Sequence, residues 1–195
     1  MPQWKPIVGL SFDATSFDVY AKALVWTSWR PSFLVVHNTA IPNLAQRPKG
    51  FTKQHIQNLV GYYRDTQGWS AGPHLFIDDH QIWVFTPLTT TGRHSPSFNP
   101  YAIGIEMLGD YQKDAFTTGR GAKVRENTIC ALASLSGALG LHPDTIKLHK
   151  EDPATTHKGC PGKNVSKAAI IADVKQKLAN HYLAEHVPAD PHPEA

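Results

Sequence analysis

The sequence has few charged residues and no long apolar segment. Charged side chains make up 18% of the 195 residues, and the nineteen lysines and arginines are scattered, unlike the clusters of nucleic-acid-binding proteins. No apolar run reaches the roughly 18 residues of a membrane-spanning helix. The opening residues, "MPQWKPIVGLSFDATSF", also lack the charged and then apolar regions of a secretory signal. We therefore expect a protein made in the cytoplasm, with no membrane span and no nucleic-acid partner.

Cysteine is nearly absent as well. Cys130 and Cys160 are the two cysteines of the chain, too few for the disulfide framework of a small secreted protein. Cys130 lies in an amphipathic segment beside "ALASL", where core packing explains it. Cys160 lies in a loop with Pro and Gly, which favours a free thiol or a metal ligand. A Cys130–Cys160 disulfide is the alternative.

Aromatic residues, in contrast, are plentiful: five Trp, six Tyr and eight Phe support one folded domain with a substantial core. Apolar periodicity predicts alternating strands and helices, and hence an α/β fold with a central mixed β-sheet flanked by helices. The predicted strands cover residues 32–39, 101–108 and 145–149, with a hairpin around Asp78–Gln81. The predicted helices cover residues 16–26 with Ser16 as cap, about fourteen residues from Thr52, 124–139 and 165–184.

Two histidines stand at the ends of predicted strands. His37 ends "SFLVVH" and His149 ends "TIKLH", so each ring can point into a cleft while the sheet holds its backbone. With Cys160 they make a three-ligand set suited to zinc, which in catalytic sites keeps a fourth position for water. A nucleophile pair of Cys160 with His157 or His149 is the alternative. It ranks lower because Cys160 precedes a proline and lacks the helix N-terminus that usually activates a thiolate.

A glutamate interrupts the apolar run "AIGIEML". Burying a carboxylate without a partner is costly, which favours a role for Glu106 in a functional site. An ion pair with a buried lysine or arginine is the structural alternative.

Four stretches of the sequence resemble the zinc-dependent N-acetylmuramoyl-L-alanine amidases, the family of phage-lysozyme-type amidases and peptidoglycan-recognition proteins. They are "FLVVHNTA", "GPHLFIDD", "GRHSPSFNPYAIGIEMLGDY" and "HKEDPATTHKGCPG". They occur in the family's order within residues 32–165. The resemblance implies a peptidoglycan amidase domain over residues 1–187, with residues 1–30 as an extension packed on it, followed by a flexible tail at 188–195.

The resemblance also implies roles for individual residues. The histidine of "HNTA", His37, matches the first zinc ligand, while His149 and Cys160 match the second and third, for one zinc ion per chain. Lys158 matches a lysine that stabilises the transition state. Glu106 matches a glutamate that some members use as general base or to orient water.

Three further residues are candidates for substrate binding. His94, in "GRHSPSFN", matches a pocket histidine near the substrate. Arg93 can meet carboxylates of the stem peptide, although an exposed, solvated charge explains it equally. Trp69, with Trp83 and Phe98, can line a groove for glycan or peptide, the alternative being an aromatic core.

The chain departs from the family at one position. Many phage-type members have tyrosine immediately before the residue that is His74 here, whereas this chain has Pro73. The role of that tyrosine is therefore not assigned, and more weight falls on Glu106. His157 competes with His149 as a ligand, and we favour His149 because it matches the family position.

The function implied by the resemblance is hydrolysis of the amide bond between N-acetylmuramic acid and L-alanine. The expected partner is peptidoglycan or a soluble muropeptide, and the expected state is a monomer. A phage endolysin or secreted effector would act on the cell wall or in the periplasm, and a recycling enzyme is the other setting. Two other classes stay open: a non-catalytic peptidoglycan-binding module on the same fold, and a zinc-free Cys/His peptidase.

Overall fold

The computed structural model describes residues 3–27 and 29–186, which form a mixed six-stranded sheet flanked by helices. The strands are β1 (Leu10–Phe12), β2 (Phe33–Asn38), β3 (Leu75–Ile77), β4 (Ile82–Val84), β5 (Ala102–Met107) and β6 (Lys147–Leu148). The helices are α1 (Ala14–Ala23), α2 (Lys53–Gly61), α3 (Gly119–Leu139) and α4 (Lys167–His186). A π-helical turn, Tyr62–Thr66, continues α2, and 3-10 turns occupy Pro143–Thr145 and His149–Glu151.

The sheet has the order β1-β4-β3-β5-β2-β6. The strands β3, β5, β2 and β6 are parallel to one another, while β4 runs antiparallel to β3 and to β1. The α/β class with a mixed central sheet is thus confirmed. Because the carboxyl ends of parallel strands lie at one edge of a sheet, the residues that end β2, β5 and β6 come together there.

Side-chain alternation gives the two faces of the sheet different coverings. One face is buried under α1, α3 and α4, with Leu34, Val36, Ile103 and Ile105 in its core. On the other face, α2 covers β3 and β4, and Ile56 packs among an aromatic cluster. Over β2 and β5 this second face has a small apolar cluster that includes Val35 and Ala102, and it becomes polar at the carboxyl ends of the two strands.

One row of this second face holds the residues of interest. His37 on β2 is in register with Glu106 on β5, and Glu106 is in register with Phe76 on β3. Strand residues two apart share a face, so Gly104 lies on the same side of β5 as Glu106. The polar end of β2 and β5 thus faces away from the main core.

Most predicted elements are present, with shifted ends. The strand at 32–39, the hairpin around Asp78–Gln81 and the helix capped by Thr52 are confirmed. The first helix starts earlier than predicted: Asp13 caps it and accepts a hydrogen bond from the backbone N–H of Ser16. Helix α3 begins at Gly119, earlier than the predicted residue 124, and a Cβ at position 121 would lie 1.8 Å from the carbonyl oxygen of Ala115, so this turn requires glycine.

Two local predictions are corrected. His149 does not end β6 but opens the 3-10 turn that follows it. The three-residue strand β1 was missed because so short a segment shows no periodicity, and it is held by pairing with β4. The predicted tail at 188–195 lies outside the described residues.

Candidate metal centre

Three metal-ligating side chains meet where the parallel strands end. His37, His149 and Cys160 each offer one ligand atom, and these atoms lie within 4.8 Å of one another. Donor atoms around one tetrahedral zinc lie roughly 3–4 Å apart, so small side-chain rotations bring all three onto one ion. Two imidazoles and a thiol are also the donor types that zinc prefers. The residues present therefore fit a zinc ion.

His37 is fixed on β2 and almost fully buried, with 1% exposure. Its Nε2 lies 3.1 Å from Nδ1 of His94, and its Nδ1 lies 3.8 Å from Oε1 of Glu106. Burial, followed by repulsion from the imidazoles of His94 and His149, holds the pKa of His37 well below its ordinary value. The ring is thus neutral at pH 7 and keeps a lone pair for a metal.

His149 is oriented by a threonine of its own loop. Its Nε2 is 2.8 Å from the hydroxyl of Thr155, which is itself buried. This contact leaves Nδ1 of His149 available to a metal. Burial, and then the charge of the neighbouring His157, lowers the pKa of His149 to about 4, so this ring is also neutral.

Cys160 is a free thiol and is half-buried. Cys130 is also a free thiol and is buried, so the two cysteines do not form the alternative disulfide. The loop of Cys160 is tied to the turn of His149, because the backbone N–H of Lys150 donates to the carbonyl of Cys160 at 3.0 Å. Burial, and then the charge of Glu106, raises the pKa of the Cys160 thiol to about 12. A hydrogen bond from the backbone N–H of Asn38 acts in the opposite direction and lowers this pKa. A cation is what would stabilise the thiolate here.

Glu106 stands beside the three donors without a lysine or arginine partner among the ion pairs of the described residues. Its side chain is 14% exposed, and burial raises the pKa of its carboxyl to about 8. The structural alternative, an ion pair between Glu106 and a buried lysine or arginine, is therefore not present among the described residues. The carboxyl faces His37 and the groove instead.

Lys158 and His157 lie on the rim of the centre. The ammonium of Lys158 donates to the backbone carbonyls of Asp152 and Pro153 at 3.3 and 3.5 Å. His157 is exposed, and its ring centroid lies 5.4 Å from that of His149. Neither side chain belongs to the three-donor cluster found among the described residues.

A groove of ≈ 1020 Å³ opens over the three donors and Glu106. Trp69 and Arg93 line it on one side, with the guanidinium carbon of Arg93 5.9 Å from the centre of the Trp69 ring. Tyr63 stacks on Trp69, with 5.4 Å between the centroids of the two rings. The groove therefore combines an aromatic wall and the positively charged guanidinium of Arg93 beside the candidate metal centre.

The comparisons with known proteins agree with this geometry. The sequence profile of the family "N-acetylmuramoyl-L-alanine amidase" matches residues 28–163, more than half of the chain. The protein belongs to this amidase family. The match confirms the family predicted from the four sequence stretches, and it indicates a protein that cleaves or binds peptidoglycan.

Individual amidase relatives are distant. Peptidoglycan-recognition protein SC2 of Drosophila melanogaster is 24% identical over 147 residues, 69% of this chain and 70% of that protein. The endolysin N-acetylmuramoyl-L-alanine amidase LysCS from Clostridium intestinale URNW superposes with a TM-score of 0.59 at 24% identity, over 78% of this chain and 91% of that one. For the catalytic domain of XlyA the TM-score is 0.58 at 22% identity, over 80% and 94% of the two chains. At these identities, the likeness shows a shared amidase fold.

Two of the three aromatic candidates lie away from the amidase groove. Trp83 is 7% exposed and packs in the aromatic cluster under α2, and Phe98 packs beside Val35 in a small core of its own. Their apolar surroundings favour the core alternative that the sequence left open. Trp69 lines the groove.

Several residues of the candidate site were not predicted from the sequence. Tyr63, which stacks on Trp69, and Thr155, which contacts His149, are not among the residues that the sequence predicts for the site. Asp152 was also missed: it accepts from the hydroxyl of Ser95 at 2.5 Å and from the backbone N–H of Ser97 at 2.9 Å. An Asp before Pro in a loop of ligands was the available signal, but its partners lie far away in the sequence.

No helix within residues 3–27 and 29–186 combines the length and apolar character needed to cross a bilayer.

Proposed function

We propose that this amidase-family protein hydrolyses the amide bond between N-acetylmuramic acid and L-alanine of peptidoglycan, with one zinc ion bound by His37, His149 and Cys160. The observation that carries the proposal is the three-donor cluster at the floor of the groove, with a largely buried carboxyl, Glu106, beside it. A module that only binds peptidoglycan has no need for such a cluster.

Zinc bound there would polarise the scissile carbonyl and make the attacking water more acidic. Glu106 is the proton carrier of the reaction. Its Oε1, 3.8 Å from His37 Nδ1, takes a proton from the attacking water and passes it to the leaving nitrogen of L-alanine. General acid–base catalysis of this kind is worth about 100- to 10,000-fold in rate.

Lys158 is proposed to stabilise the developing oxyanion. In this structure its ammonium makes two long hydrogen bonds to carbonyls of its own loop, and the side chain is exposed. A change of rotamer frees it to turn toward the reacting carbonyl, since exposed side chains change rotamer on fast timescales.

The groove walls are proposed to hold the stem peptide and glycan. Trp69, stacked on Tyr63, offers an apolar face, and the exposed guanidinium of Arg93 is placed to pair with a carboxylate of the stem peptide. The cell wall is accordingly the proposed place of action, and one domain over residues 1–187 the proposed unit of activity.

A substitution series at Cys160 tests the zinc assignment. We expect the purified protein to contain one zinc per chain and to release stem peptides with a free N-terminal alanine from purified sacculi. Cys160→Ala should lose zinc and activity together, while Cys160→Asp, which restores an anionic ligand, should keep measurable zinc. Cys130→Ala removes the buried thiol of α3 and serves as the matched control, with both properties retained.

The readouts are zinc content by elemental mass spectrometry and mass spectrometry of the digested peptidoglycan. Sacculi that bind the protein but release no peptide would favour the binding module. Activity that survives a chelator but not a thiol alkylator would favour a zinc-free cysteine peptidase.

A further inference from the structure

His94 lies next to His37 at the floor of the groove and is only 6% exposed. The side chain is buried, and its ring is held between two partners. Its Nε2 lies 3.1 Å from the backbone carbonyl of Ala102, and its Nδ1 lies 3.1 Å from Nε2 of His37. Both ring nitrogens of His94 are therefore engaged within the protein.

The two contacts fix where the protons are. The carbonyl of Ala102 can only accept a hydrogen bond, so Nε2 of His94 carries a proton and donates it. In a neutral imidazole the other nitrogen, Nδ1, is then an acceptor. Nε2 of His37 must be the donor to it, which leaves Nδ1 of His37 with its lone pair on the side of Glu106.

The sheet is shaped to admit His94 at this place. Gly104 lies on β5 on the same face as Glu106, and a Cβ added to it would come 2.2 Å from Cγ of the His94 ring. A side chain at 104 would thus displace the imidazole from the strand. The absence of a side chain allows His94 to lie flat enough to reach the Ala102 carbonyl.

The backbone of His94 is anchored as firmly as its ring. The side-chain carbonyl of Asn99 accepts from the backbone N–H groups of His94 and Ser95, both at 2.8 Å. Ser95 in turn donates to Asp152, in the loop between His149 and Cys160. The segment that carries His94 is therefore tied to the loop that carries the other two ligands.

We propose that His94 is a positioning residue that holds His37 in the tautomer protonated at Nε2 and aims its Nδ1 at the metal. The inference rests on the proposed zinc-dependent function, and it replaces the expected substrate contact with a role beneath the ligand. With both nitrogens engaged, the ring has no hydrogen-bonding atom left for a substrate.

The first test uses the wild-type protein without metal. Long-range ¹H–¹⁵N NMR of the imidazoles distinguishes the two neutral tautomers, and His37→Ala and His94→Gln spectra assign the two residues. We expect both His37 and His94 to be protonated at Nε2 in the metal-free protein. A His37 ring protonated at Nδ1 would overturn the proposal, whatever the zinc content of the protein.

The second test measures zinc affinity by competition with a chromophoric chelator. His94→Leu removes both hydrogen bonds at similar volume, and we expect zinc binding to weaken about 10- to 100-fold, as for other partners of metal ligands. His94→Gln keeps one donor and one acceptor and should regain most of the lost affinity. His142→Leu, at a histidine whose side chain is 68% exposed, is the control and should bind zinc as the wild type does.

The outcomes separate the two proposals. Wild-type protein that binds no zinc would contradict the proposed function, while the tautomer spectra still decide the hydrogen-bond chain. Wild-type protein that binds zinc, with His94→Leu equally tight, would overturn the positioning role alone. Thermal unfolding of each variant confirms that it is folded, and if His94→Leu is not, the Gln variant and the wild-type spectra decide.

Discussion

Burial acts in one direction on the four side chains of the candidate centre: it favours the neutral form of each. The pKa values of His37 and His149 are lowered, whereas those of Glu106 and Cys160 are raised. A divalent cation among these groups reverses the preference of the carboxyl and the thiol, since a nearby positive charge favours both ionised forms. Cation binding and ionisation of Glu106 and Cys160 are therefore expected to be coupled.

Glu106→Gln should separate catalysis from metal binding. The amide matches the carboxyl in size but cannot take a proton from water, so we expect the turnover number to fall at least about 100-fold. Zinc content should stay at the wild-type level, because the three ligands are untouched. Steady-state assays on muropeptides and elemental analysis of the same preparations provide the two numbers.

The matched control for that substitution is Glu126→Gln, at an exposed position of α3, which should leave both quantities unchanged. Near-normal turnover of Glu106→Gln would show that another group carries the proton.

The loop between β2 and α2, residues 39–52, forms a wall of the groove and is held from below by one arginine. Arg120, in the first turn of α3, pairs with both carboxylate oxygens of Asp79 at 2.7 Å. The same guanidinium donates to the backbone carbonyls of Leu44 and Arg47 at 2.5 and 2.7 Å. Only the planar, five-donor group of arginine can make all these bonds at once. Arg120 thus joins α3, the hairpin turn and the groove loop.

Arg120→Lys should loosen this junction. Lysine keeps the charge but not the fork, so we expect the free energy of unfolding to fall by about 1.5–3 kcal/mol, the range for hydrogen bonds to charged groups. KM should rise more than kcat falls, because Arg120 holds the groove wall rather than the reacting atoms. Chemical denaturation and steady-state kinetics measure the two effects.

Arg64→Lys provides the comparison for that variant, since Arg64 pairs with Asp65 in an exposed position. Solvent screens such an exposed pair, so Arg64→Lys should change the free energy of unfolding little. Equal losses of stability in the two variants would contradict the role given to Arg120.

Sequence patterns predicted the elements whose residues repeat with a clear period. Strand β2 is an unbroken apolar run, and α2 carries both a cap and an apolar stripe, so both appear as expected. The partners of His94 and Ser95 were not predictable in this way. The contacts of His94 with His37 and of Ser95 with Asp152 join residues that are far apart in the chain, and no local pattern encodes them. The position of the Lys158 side chain was also not predictable, because it depends on hydrogen bonds from its ammonium to the backbone carbonyls of Asp152 and Pro153.

The three candidate ligands are far apart in the sequence. His37 lies near the carboxyl end of β2, His149 follows the edge strand β6, and Cys160 lies in the loop before α4. The parallel topology brings these segments to one edge of the sheet, so an ion bound there would link them in the folded state. The unfolded chain holds no such preformed site. Zinc binding should therefore stabilise the whole fold and not only the groove.

Thermal unfolding should report this linkage. With free zinc at about a hundred times its dissociation constant, binding to the native state adds about 2.7 kcal/mol, which for a chain of this size raises Tm by roughly 5–10 °C. We expect a chelator to lower Tm by that amount and added zinc to restore it, as measured by circular dichroism or calorimetry. Cys160→Ala should show a much smaller response to either treatment, whereas Cys130→Ala should keep its response. If the Tm of the wild type does not change with zinc, or if zinc shifts the Tm of Cys160→Ala by the same amount, the three residues do not bind the ion together.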